Sequence, residues 1–200
     1  MISIYQLKPK FKSLLRPLCT KLSERGVSAN QITILACLLS IIYGALLCLN
    51  IPLLWLLLPL ILFVRMGLNA IDGMLAREHN MSSKLGMALN EICDVIADTA
   101  LFLPFLFYAP IAAATILLFI FLATMSEFCG LLAYMMSGTR RYDGPMGKSD
   151  RAFVTGTLGF LIGLGWIQPN LLVWIFAILS ALTLWACFNR IKGSLREGKT

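Results

Sequence analysis

Long apolar runs broken by short polar joints dominate the chain. Residues 5–25 come first and differ from the rest: Leu and Phe alternate with Lys8, Lys10, Lys12, Arg16, Lys21 and Arg25. That mixture predicts an amphipathic helix lying at a membrane surface, with a break at Pro17. "VSANQIT" follows, where Ser28 or Asn30 can cap the next helix. Six apolar segments then run at about 31–49, 52–76, 86–109, 111–137, 152–167 and 170–189. Each is expected to cross a bilayer, the fifth being short for that task. The joints near 50–51, 109–111 and 168–170 carry no charge, while the other joints and both ends hold nearly all the Lys and Arg. Basic residues stay on the cytosolic side, so both termini are expected there. Gly156, Gly159 and Gly163 form a small-residue stripe suited to close helix packing.

Composition agrees with this pattern. Of 200 residues, 58% are hydrophobic and 14% charged, and the mean hydropathy is +0.81. A water-soluble domain needs more polar surface than that. The expectation is an all-α integral membrane protein with six transmembrane helices and an N-terminal cytosolic amphipathic helix. It divides into residues 1–30, a transmembrane unit 31–189, and a basic tail 190–200. The net charge of +7 is assigned to loop placement and not to nucleic acid. Six cysteines occur without any CxxC pair and are expected as buried apolar residues, not as disulfides or a zinc site. There is no evident internal repeat, which counts against a transporter of duplicated halves.

One stretch breaks the apolar pattern. "NAIDGMLAREHNMSSKLGMALNEICDVIAD", residues 69–98, gathers Asn69, Asp72, Arg77, Glu78, Asn90, Glu91, Asp94 and Asp98. Charges inside spans are costly and usually mark function. Asn90, Asp94 and Asp98 recur every four residues and share a helix face, whereas Glu91 is turned about 100° from Asn90. Oxygen donors from Asn69, Asp72, Asn90 and Asp94 suit a hard cation, Mg²⁺ or Mn²⁺, better than zinc. The alternative is that the acids pair with Arg65, Arg77 and Lys84. Gly73 and Gly86 flank the cluster, where a ligand could approach the backbone closely.

"DGMLAR", eight residues and "GMALNEICD" together resemble the CDP-alcohol phosphatidyltransferase signature, D-x2-D-G-x2-A-R-x8-G-x3-D-x3-D. The spacing matches throughout, and Asp72, Gly73, Ala76, Arg77, Gly86 and Asp94 are present. "SANQIT" is similar to the T-P-N-x-x-T that opens the first span in that family, matched at Asn30 and Thr33. The resemblance implies that Asp72 and Asp94 bind metal and that Asp94 is the general base. It implies that Gly73, Ala76 and Gly86 line the cytidine site, with Asn30 and Thr33 also on the CDP side and Arg77 at the diphosphate. It further implies a CDP-diacylglycerol donor, an alcohol acceptor, release of CMP and a homodimer.

Asn69 and Asn90 stand where the pattern has aspartates. Each keeps an oxygen and removes a charge, with Asp98 or Glu91 as replacement ligands. Lys148 and Arg151, in "GPMGKSDR" after Arg140 and Arg141, are expected to bind the acceptor, or else only to follow the positive-inside rule. Glu127, alone in its span, is expected to pair with Arg65. The resulting expectation is a divalent-metal-dependent enzyme of a bacterial inner membrane, its active site opening to the cytoplasm among membrane lipids. The rivals are a degenerate relative that only binds nucleotide-lipid or metal, and a small solute transporter.

Overall fold

A computed structural model describes residues 4–197, with side chains from 11 to 196. Residues 1–3, and residues 198–200 of the expected basic tail, lie outside the described part. The described residues contain helices and no strand. α1 (Ile4–Glu24) is followed by α2 (Ala29–Leu47), α3 (Pro52–Glu78) and α4 (Lys84–Phe102). A short α5 (Pro104–Tyr108) and a 3₁₀ turn (Pro110–Ala112) lead into α6 (Ala113–Ser137), α7 (Lys148–Gly163) and α8 (Pro169–Glu197).

Local chemistry sets most of the boundaries. Ser28 caps α2 in a reciprocal capping box with Gln31, satisfying two otherwise unpaired N–H groups. Pro52 and Pro169 open α3 and α8, where the missing proline N–H costs nothing. Gly138, at φ 71°, ends α6 in the left-handed conformation that glycine tolerates. Two expectations at prolines need correction. Pro17 does not break α1. Pro104 does interrupt the third apolar segment, so the run expected at 86–109 is divided between α4 and α5.

Four helical stretches are long and apolar enough to cross a membrane: Ala29–Leu47, Pro52–Glu78, Pro110–Ser137 and Pro169–Arg196. α4 carries Lys84, Glu91, Asp94 and Asp98, and α7 has 16 residues, short of the roughly 20 that a hydrocarbon core requires. Those two pack against the long helices, α4 on α2 and α7 on α3, while α6 pairs with α8 and α1 lies on α3.

The packing separates two ends. At one, Trp55, Phe102, Phe105, Phe119 and Phe176 form a buried aromatic core with ring centroids 4.9–5.4 Å apart. Tyr43 and Tyr108 donate to the carbonyls of Leu54 and Ile167 there, each at 2.6 Å. At the other end the N-termini of α2, α4 and α7 meet the C-termini of α3, α6 and α8, and the polar residues collect. Leu53, Phe63, Phe121, Trp174, Trp185 and Phe188 face outward, an apolar exterior suited to lipid. The chain is an integral membrane protein by these features.

The glycine stripe acts as expected. A Cβ on Gly156 would come within 3.2 Å of Leu62, and one on Gly163 within 2.7 Å of the Leu56 backbone nitrogen. A side chain can yield and a backbone cannot. Gly163→Leu should therefore force α3 and α7 apart and cost about 1–3 kcal/mol, read as a lower thermal midpoint in detergent. Gly67→Ala, whose added methyl meets only Phe11 at 3.9 Å, should leave the midpoint unchanged or raise it.

Candidate active site

α2, α3, α4, α6 and the segment after α6 enclose an open cavity of about 450 Å³ at the polar end. α2 contributes Asn30 and Thr33, α3 contributes Asp72, Gly73, Ala76 and Arg77, and α4 contributes Gly86, Asn90 and Glu91. Leu131, Tyr134, Arg140 and Tyr142 close the far wall. Residues as far apart in sequence as Asn30 and Tyr142 thus share one space.

The glycines have steric reasons to be there. A Cβ on Gly86 would lie 2.7 Å from Asn30 Oδ1, and one on Gly73 2.6 Å from Arg77 Nη2. Gly86 lets α4 approach α2, and Gly73 leaves room for the Arg77 guanidinium to fold back along α3. The Thr33 hydroxyl donates to Asp72 Oδ2 at 2.9 Å, fixing a buried carboxylate at the cavity floor.

Asn69 and Asp94 lie just behind this lining. Asn69 Nδ2 donates to Asp94 Oδ1 at 3.2 Å, the Lys148 ammonium is in contact with the same oxygen, and Arg65 lies 3.9 Å away. The charges of Asp72 and Asp94 act on each other, and Lys148 acts on both. Among the described residues no three of Asp, Glu, His and Cys come together as a metal cluster. Asp72, Asp94 and the amides of Asn69 and Asn90 offer hard oxygen donors, of the kind that suits Mg²⁺ or Mn²⁺.

Deeper in the bundle the remaining charges form one alternating chain. Arg65 reaches Asp98 at 2.6 Å. Asp98 also takes Arg151 at 3.1 Å, and Arg151 reaches Glu127 at 2.7 Å. Glu127 takes Arg140 at 3.3 Å, and Arg140 grips Glu91 with both terminal nitrogens. Burial works against the Arg140 guanidinium, but the Glu91 carboxylate offsets this and raises its pKa above the ordinary arginine value. Arg190 sits at the same depth, bonded to the Ser126 carbonyl.

Several sequence expectations change here. Glu127 pairs with Arg151 and Arg140, not with Arg65, because Arg65 is claimed by Asp98 one helix away. Asp98 is saturated by two guanidiniums and is no replacement ligand. Glu91 does line the cavity, though it is turned toward Arg140. Arg151 is 1% exposed and does not line the cavity, whereas Arg140 does. Lys148 is engaged by Asp94. The ladder as a whole was missed from sequence. Its signal was present, since Arg65, Asp98 and Glu127 each interrupt an apolar run and each requires a buried partner, but the pairing needs the helix packing. The cysteines are free, as expected.

Comparisons with known proteins place the chain in a family. The inner membrane protein YnbA of Escherichia coli (strain K12) is 49% identical over 197 residues, covering 97% of each chain. The fold matches the Mycobacterium tuberculosis phosphatidylinositol phosphate synthase PgsA1 with CDP-DAG bound, at a TM-score of 0.74 and 19% identity, over 89% of this chain and 92% of that one. The same synthase in complex with manganese and citrate matches with the same TM-score and identity, over 90% and 88%. The family model for CDP-alcohol phosphatidyltransferase matches residues 27–186. Motif, cavity and family model coincide, and the chain belongs to the CDP-alcohol phosphatidyltransferase family.

Proposed function

We propose that the protein transfers the phosphatidyl group of CDP-diacylglycerol to an alcohol and releases CMP. The observation that carries this reading is the gathering of Asn30, Thr33, Asp72, Gly73, Ala76, Arg77, Gly86 and Asn90 around one cavity, with Asp94 directly behind it. The cytidine rests against Gly73, Ala76 and Gly86, with Asn30 and Thr33 beside it. Arg77 faces the diphosphate. Asp72, Asp94, Asn69 and Asn90 are the residues to hold a divalent cation. When bound, such a cation neutralises the diphosphate and makes its phosphorus more electrophilic.

Asp94 takes the proton of the acceptor hydroxyl. The hydroxyl oxygen then bonds to the phosphorus that bears diacylglycerol, and the bond from that phosphorus to the CMP oxygen breaks. Lys148 and Arg65 orient Asp94 before the proton arrives. Membrane placement belongs to the same reading. α4 and α7 cross the bilayer with the four apolar stretches to make six spans, α1 lies at the interface, and the polar end with both termini faces the cytoplasm. The YnbA likeness supports a bacterial inner membrane. The apolar outer surface leaves room for a homodimer.

The test is CMP release from CDP-diacylglycerol by purified protein with Mg²⁺ or Mn²⁺ and a set of alcohols. Asp94→Asn should lower the rate about 10²–10⁴-fold, the usual contribution of a positioned base. Gly86→Leu should instead raise the KM for CDP-diacylglycerol, because the side chain fills the space beside Asn30.

A second reading is favoured by one observation, the two amides at 69 and 90. A relative that binds the donor without turning it over would show no release. The double variant Asn69→Asp/Asn90→Asp decides between them. If the wild type is the enzyme, the variant changes the metal requirement of an existing activity; activity arising from none would establish the binding-only reading.

A further inference from the structure

The charge ladder bears on which alcohol the site accepts, and this inference rests on the transferase reading above. Three guanidiniums, Arg140, Arg151 and Arg190, converge from the loop after α6, from α7 and from α8. Such a convergence is the usual means of holding a phosphate, whose oxygens accept paired N–H groups. Here the centre is already filled. Glu127 Oε1 takes Arg151 Nη2 at 2.7 Å and Oε2 takes Arg140 Nη2 at 3.3 Å, and the charge of Arg190 acts on the same carboxylate. The rest of Arg151 is spent on Asp98, Ser126 Oγ and the Met146 carbonyl. Arg140, the member that lines the cavity, gives its other face to Glu91. Arg65 also reaches Asp98, so every carboxylate of the group, Glu91, Glu127 and Asp98, is already held by guanidiniums without a ligand.

We propose that the acceptor alcohol carries no phosphate, because Glu127 is the protein's own anion in the place among Arg140, Arg151 and Arg190 that an acceptor phosphate requires. A phosphomonoester brings a charge of about −1.5 to −2 at neutral pH. To be held there it must displace Glu127, leaving a buried carboxylate without its cations, and it must pass Glu91 on the cavity wall. Like charges brought together across a binding surface cost several kcal/mol. An unphosphorylated hydroxyl compound meets neither penalty. It finds hydrogen-bonding groups at Glu91, Tyr134 and Tyr142 on the far wall.

Two measurements test this. In the CMP-release assay, glycerol is compared with glycerol 3-phosphate, serine with phosphoserine, and inositol with inositol phosphate. The unphosphorylated member of the productive pair should be preferred about a hundredfold or more in kcat/KM; preference for the phosphorylated member overturns the proposal. Separately, inorganic phosphate is titrated into the full-length protein while its thermal midpoint is followed. Wild type should not respond, and Glu127→Gln, with the carboxylate among the three guanidiniums removed, should gain stability as phosphate is added. A rise in wild type equal to that of the variant, or no rise in a folded variant, overturns it. Should Glu127→Gln not fold, the wild-type titration alone decides, since phosphate stabilisation there is incompatible with a filled site. If no alcohol yields CMP, the transferase reading fails on its own assay, while the phosphate titration still judges whether Glu127 fills the arginine cluster.

Discussion

Charges drawn into apolar helices must find opposite charges, and the polar half of this structure follows from that requirement. An isolated guanidinium or carboxylate in low dielectric loses more hydration than packing returns. Arg65, Asp98, Arg151, Glu127, Arg140 and Glu91 meet the requirement by alternating in sign from α3 through α4, α7 and α6 to the loop beyond. The ladder ties together helices whose apolar faces alone would permit sliding. Its gain is specificity of arrangement more than net stability, since a well-packed apolar replacement of a buried ion pair is often as stable.

That arrangement sets the site. With α3 and α4 locked by Arg65 and Asp98, the carboxylate of Asp94 one turn away is held beside Asn69 and within reach of Lys148. The cavity lies where the ladder ends, at Glu91 and Arg140. Its floor is acidic and its far wall is a neutral ion pair flanked by tyrosines. The two amides at 69 and 90 fit the same economy. Replacing two carboxylates by amides lowers the demand for positive charge beside a lysine that already supplies one.

The family motif was legible because it is local. Asp72 to Asp94 spans one helix end, a turn and the next helix start, so spacing alone carries the pattern. The stripe at Gly156, Gly159 and Gly163 was legible for a similar reason, since small residues repeated on one face admit few uses within a membrane. The partner of Glu127 was not legible. Arg65 and Arg151 both lie at a suitable depth in their segments, and the choice between them depends on which helix is adjacent. Which of Arg151 and Arg140 lines the cavity was not legible for the same reason. A position three residues into a helix does not reveal whether its side chain turns to the cavity or to the core.

Hydrophobic runs, capping residues and the motif spacing by themselves determined a helical membrane protein with its chemistry at one end, because these are properties of consecutive residues. Residue order also placed Pro52, Gly138 and Ser28 at helix boundaries through backbone constraints that no distant contact alters. Only the tertiary structure decided which charges neutralise which, that Asp98 is held by two guanidiniums while Asp94 lies just behind the cavity lining, and that Glu127 sits among the arginines. Those outcomes depend on distances between helices far apart in sequence, and electrostatic pairing in low dielectric changes steeply over a few ångströms.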